Sequence, residues 1–156
     1  MGHFYGLNLF LAESSATSGG LDSLLEPTGN IREAQEKAAR CFGADHTYFV
    51  TNGTSTANKI VVQAICQPGD IVLVDRNCHK SLNYSLNMSG AVPVYMMPRR
   101  NARGVIGPVP RSEMTPEAIE KKLSASPLVA DKSVPPVLGV LTNSTYDGLC
   151  YNVQTT

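Results

Sequence analysis

The chain has no basic block and no basic stripe. Its 13 Lys and Arg residues are balanced by 13 Asp and Glu, so the formal net charge is zero. The attraction to phosphate that drives nucleic-acid binding is missing from that balance, and no nucleic-acid partner is expected. No pair of cysteines has CxxC spacing: Cys41, Cys66, Cys78 and Cys150 stand far apart. A zinc ribbon or a thioredoxin-type motif is therefore unsupported, and no metal centre is expected. Two of the four fall on apolar stretches, where a reduced cysteine behaves as a small hydrophobe. This usage predicts a reducing, cytoplasmic setting. The apolar "GLNLFLA" near the N-terminus is short and no Lys or Arg precedes it, so neither a signal peptide nor a membrane span is expected. "MGHFYG" has Gly6 where a myristoylation signal has Ser or Thr. There is no internal repeat, no low-complexity tract and no GxxxxGK[ST] loop.

What is present fits one soluble globular domain. The chain has 156 residues, 42% apolar and 17% charged. Residues 1–27 read as an irregular lead-in, rich in Ser and Gly, that closes on the turn "LEPTG". "NIREAQEKAARCF" predicts a helix with Asn30 as N-cap and Glu33 at capping-box spacing. Ile31, Ala34, Ala38, Cys41 and Phe42 share one face of it. "TYFVT" (47–51) reads as a strand. "ANKIVVQAICQ" reads as an amphipathic helix with Ala57, Ile60, Val61, Ala64 and Ile65 on its apolar face. "IVLVD" (71–75) is a continuous apolar run, as in strands buried on both faces. "LNYSLNMSG" predicts a short helix and "AVPVYMM" a third strand, with Pro93 near its start. "TPEAIEKKL" starts a helix with Thr115 as N-cap and Pro116 at the first helical position. "VLGVLTN" predicts a fourth strand. Strands alternating with helices predict a three-layer α/β/α fold with a mostly parallel sheet.

In such sheets ligands bind at the C-terminal ends of the strands. Three polar loops fall there: "NGTST" (52–56), "NCHKS" (77–81) and "NSTYDG" (143–148). The first suits a phosphate cup, with Gly53 turning the chain and Thr54, Ser55 and Thr56 presenting N–H groups and hydroxyls at a helix N-terminus. Equally, Thr54 or Ser55 can simply cap the helix. His79 suits a ring stacked on a flat ligand, or an ordinary satisfied loop histidine. "STYDG" suits a ligand contact, or a plain type I or II turn.

Taken in order, "FVTNGTSTANKIVVQA", "PGDIVLVDRNCHKS", "GAVPVY" and "LTNSTYDGLCYNV" resemble the ornithine/lysine/arginine decarboxylase family. "LDSLLEPTGNIREAQEKAARCFGAD" is similar to the segment before the cup in that family, and "GHFYG" to its approach to the large domain. These are pyridoxal 5'-phosphate enzymes of the aspartate-aminotransferase fold. The resemblance implies that residues 28–156 are the first part of a transferase-like large domain, and that the substrate is a small-molecule amino acid. It implies phosphate binding by Thr54, Ser55 and Thr56, a catalytic role for His79 in stacking on the cofactor ring, and a cofactor contact for Thr145. It also implies a homo-oligomer or a complementary C-terminal half as partner. The family's Schiff-base lysine follows a histidine too, but in a later Ser-x-His-Lys segment beyond "TYDG", so Lys80 belongs to the earlier histidine's motif. That lysine, and the family's aspartate that pairs with the pyridine nitrogen, are not among these 156 residues. The expectation is a fragment of a decarboxylase, inactive alone. The alternative is a non-catalytic α/β remnant that serves binding or interaction.

Overall fold

The computed structural model describes residues 2–11 and 21–152. The chain divides into two compact units, Met1–Thr51 and Asn52–Thr156. The first opens with two single helical turns, Gly2–Tyr5 (α1) and Asn8–Leu11 (α2). The expected helix follows as Asn30–Phe42 (α3), stopped by Gly43 in the left-handed conformation at φ 66°. Its N-terminus departs from expectation. Asn30 is the first helical residue rather than the cap, and no adjacent side chain caps the helix. The carboxylate of Asp22 does so instead. It accepts from the N–H groups of Ile31 and Arg32 at 2.8 and 3.3 Å, and from those of Thr28 and Gly29 at 2.8 and 2.9 Å. An anion here satisfies donors that the helix cannot, at the positive end of its dipole.

Two further expectations fail in this unit. Residues 47–51 form no strand, because among the described residues no neighbouring strand pairs with them. β-propensity favours an extended chain, but a strand exists only against a hydrogen-bonded partner. The apolar face predicted for α3 is only partly covered: Ile31 and Ala38 are half-buried, but Ala34 and Cys41 are exposed and Phe42 is 86% exposed, while Gln35 and Ala39 are the buried residues.

The second unit is a doubly wound sheet. The element order is α4 (Thr54–Ile65), β1 (Ile71–Asp75), α5 (Lys80–Ser89), β2 (Val92–Met96), a 3-10 turn at Arg111–Glu113, α6 (Pro116–Ala125) and β3 (Leu138–Val140). The three strands are parallel in the order β2-β1-β3, with Val72 opposite both Pro93 and Leu138. Pro93 is tolerated because β2 is an edge strand. Val92 N–H bonds inward to Asp70 O, so the missing N–H of the next residue falls on the open side. The alternation of β1 builds two cores. Val72 and Val74 pack with Val62 of α4, Cys66 at its C-cap, and Leu82 and Leu86 of α5. Ile71 and Leu73 pack with Val94, Ile119, Leu123 and Val129 on the other face. Helices therefore cover both faces, as the three-layer expectation requires.

The α5 crossover leads from β1 to one side and the α6 crossover returns the chain to β3 on the other. The strand order thus reverses at β1, which opens a crevice beyond its C-terminal end. α6 begins as its sequence signals demand, with Thr115 Oγ1 accepting from Ala118 N–H at 3.3 Å and Pro116 at the first position.

Candidate functional site

A cleft of about 640 Å³ lies at that reversal. Residues 77–80, after β1, form one wall; Thr142, Ser144, Thr145 and Tyr146, after β3, form the other. Asp75, 2% exposed at the last position of β1, ties the walls together. Its carboxylate accepts from Asn77 N–H at 2.8 Å and from Thr142 N–H at 3.4 Å. A charge that ends a buried apolar strand was the sequence signal for it, and it went unread.

His79 is exposed and is the N-cap of α5. Its Nδ1 accepts from Ser81 N–H at 3.2 Å and lies 2.9 Å from Ser81 Oγ. Nε2 has no hydrogen-bond partner among the described residues. The histidine is thus anchored through one nitrogen and open at the other. Lys80 is the first residue of α5, exposed at the cleft and without an ion-pair partner among the described residues. Cys78 also lines the cleft. Burial first, and then the charge of Asp75, raises its thiol pKa, which keeps it protonated and a poor nucleophile.

Thr145 lines the opposite wall and begins a tight turn. Gly148 N–H bonds to its carbonyl at 3.1 Å, and Leu149 N–H donates to its Oγ1 at 3.2 Å. "STYDG" is therefore a true turn, pinned by an antiparallel bridge between Ser144 and Cys150, and it still presents Thr145 to the cleft. Tyr146 beside it is fully exposed.

Thr54, Ser55 and Thr56 do not line the cleft. They form the first turn of α4, which begins three residues earlier than its apolar pattern indicated. The capping alternative for Thr54 and Ser55 fails: the cap is Gly53, at φ 79°. The N–H groups of Thr54 and Ser55 have no partner among the described residues. Thr56 is partly engaged, with its N–H on Gly53 O at 3.0 Å and its hydroxyl donating to Asn52 O at 3.2 Å. One turn on, Asn58 donates to Ser81 Oγ at 2.9 Å. That bond sets the start of α4 beside the start of α5, because residues i and i+4 share a helix face. The sequence placed Ser81 in the loop after β1 but gave it no role, and it did not point to Asn58 at all.

A doubly wound parallel sheet with a polar cleft at its reversal point and an open helix N-terminus beside it places the chain in the α/β class. The chain belongs to the ornithine/lysine/arginine decarboxylase family: the family profile described as "Orn/Lys/Arg decarboxylase, major domain" matches residues 1–156. Lysine decarboxylase LdcA of Pseudomonas aeruginosa is 52% identical over 151 residues, spanning 97% of this chain and 20% of that protein. The biodegradative arginine decarboxylase of Escherichia coli is 48% identical over 152 residues, again 97% of this chain and 20% of the relative. The solved structure of lysine decarboxylase A from Pseudomonas aeruginosa superposes with a TM-score of 0.87 at 53% identity, covering 97% of this chain and 20% of that one. The chain spans about a fifth of the length of the relatives it matches.

Proposed function

We propose that this chain is the part of a pyridoxal 5'-phosphate-dependent basic amino-acid decarboxylase that holds the cofactor's phosphate and one face of its ring. Residues 28–156 then form the first part of the large domain. The substrate class is arginine, lysine or ornithine, the setting is the cytoplasm, and the partner is a second copy of the chain or the rest of the large domain. Among the described residues no helix is long and apolar enough to cross a membrane.

The observation that carries this proposal is the pairing of an open helix N-terminus at Thr54 and Ser55 with an anchored imidazole, joined by the two hydrogen bonds from Asn58 to Ser81 and from Ser81 to His79. The residues fit the group. Unpartnered N–H groups at the start of a 12-residue helix suit a dianionic phosphate, and Gly53 at positive φ permits the approach turn. When bound, the cofactor supplies an electron sink for the carbon that loses its carboxylate.

In this division of labour Thr54 and Ser55 bind phosphate through N–H and hydroxyl. Thr56 contributes less, because its own groups are already engaged. His79 supplies a flat ring against the cofactor. Thr145, whose oxygen accepts from Leu149, keeps a hydroxyl proton to donate into the cleft. Asp75 holds the two walls in register.

The test is binding of pyridoxal phosphate to the 156-residue chain, followed by absorbance and calorimetry. Inorganic phosphate should compete. The double change Thr54→Ala/Ser55→Ala should weaken binding more than His79→Ala does. Two or three charge-assisted hydrogen bonds at about 1.5–3 kcal/mol each outweigh one stacking contact at about 1 kcal/mol. If His79→Ala is the more damaging change, the phosphate cup is misassigned.

A further inference from the structure

Two side chains outside the proposed cofactor contacts form a relay to His79, Ser81 touching it and Asn58 touching Ser81. Ser81 is only 2% exposed. Its hydroxyl lies 2.9 Å from His79 Nδ1, and its N–H donates to the same nitrogen at 3.2 Å. Asn58, half-buried on the neighbouring helix, donates through Nδ2 to Ser81 Oγ at 2.9 Å.

Bonding capacity fixes the direction of this chain of contacts. A backbone N–H can only donate, so Nδ1 is an acceptor and carries no proton. The Ser81 hydroxyl therefore gives its proton to Nδ1 and receives that of Asn58 on its lone pair. The neutral imidazole keeps its own proton on Nε2, the nitrogen left without a partner. Capping α5 requires only the Ser81 N–H. A buried hydroxyl oriented from a second helix is more than capping needs, and burying it is favourable only while both of its bonds are made.

We propose that Ser81, oriented by Asn58, is a positioning residue that locks the His79 imidazole as its Nε2–H tautomer and holds the ring for a flat aromatic ligand in the cleft. The proposal rests on the stacking role given to His79 above.

The experiment is a two-bond ¹H–¹⁵N correlation of the ¹⁵N-labelled chain at alkaline pH, with the His79 signals assigned by His79→Gln. The expected spectrum shows a pyridine-type Nδ1 and a pyrrole-type Nε2. Asn58→Asp preserves shape but can only accept. It should turn the Ser81 hydroxyl away from Nδ1, leaving only the longer backbone N–H bond at 3.2 Å to hold the tautomer, and move both nitrogen shifts part of the way toward a tautomer mixture. Ser81→Ala should do the same, while Ser81→Thr, which keeps the hydroxyl, should restore the native pattern. If Ser81→Ala fails to fold, the Asn58→Asp spectrum decides alone, since residue 58 lies outside the core cluster. An Nδ1–H tautomer in the unmodified chain, or unchanged shifts in Asn58→Asp, overturns the proposal. In the folded Ser81→Ala chain, affinity for pyridoxal phosphate should fall by up to about fivefold, the worth of one stacking contact, with inorganic phosphate binding unchanged. A tautomer that shifts without any loss of pyridoxal phosphate affinity upholds the positioning and overturns the stacking role beneath it.

Discussion

Asp22 shows how far a single side chain reaches in this chain. Its carboxylate gathers N–H groups from Thr28, Gly29, Ile31 and Arg32, and its pKa falls from 3.8 to about 2. The Thr28 bond is the largest cause; desolvation opposes it, and the other three bonds add to it. A depressed carboxylate pKa stabilises the folded state above the unfolded value, and that contribution is lost as pH falls through the folded value. The helical signal of α3 should therefore weaken between pH 3.8 and about 2. Asp22→Asn should flatten that acid limb and lower the melting temperature at neutral pH. Circular dichroism melts over a pH series check both; an acid limb that persists in Asp22→Asn would show that another group carries it. Capping chemistry read locally pointed to Asn30, because a cap is sought next to the first turn. Asp22 reaches that turn only after the intervening loop has folded back.

At the scale of the element, α4 buries a different face from the one its periodicity indicated. Ile60, Val61 and Ile65 are 53%, 50% and 48% exposed, whereas Val62 and Cys66 are 1% and 6% exposed. Val62 and Cys66 extend the apolar surface beside the predicted face, so the pattern admits more than one buried face. Packing on α5, together with the Asn58–Ser81 bond, selects the face that carries residues 58, 62 and 66. Val62→Ala should cost about 2 kcal/mol, from lost transfer energy and the cavity left behind. Ile60→Ala should stay within about 0.5 kcal/mol. Urea unfolding of the two variants ranks them, and the reverse order would restore the face that the pattern favoured. The same contrast governs the strands. "IVLVD" became β1 over the predicted residues because helices cover both of its faces. "VLGVLTN" kept only Leu138–Val140. "TYFVT" has no strand partner among the described residues.

At the scale of the whole molecule, the sheet has two edges, on β2 and β3, with no strand partner among the described residues. Val137 and Leu141, which flank β3, are 45% and 41% exposed, and the outward aliphatic side chains of α4 add to the uncovered apolar surface. Open edges pair with other chains, and contiguous exposed apolar surface drives association. The isolated chain should run as a dimer or larger species by light scattering after size exclusion. A compact monomer at micromolar concentration would show that these edges and faces do not drive association. What the amino-acid order determined by itself was local: the α/β alternation, the end of α3 at Gly43, the start of α6 at Thr115 and Pro116, and the run of motifs that placed His79 and Thr145 at strand ends. Tertiary structure decided which carboxylate caps α3, which face of α4 is core, and that residues 47–51 remain unpaired. It also brought the loops after β1 and β3 together around Asp75 into one cleft, and joined α4 to α5 through Asn58 and Ser81. Propensity and period act between neighbours along the chain. Strand order, burial and hydrogen-bond partnership are settled between segments tens of residues apart, and only the folded arrangement of β2, β1 and β3 brings those segments within reach.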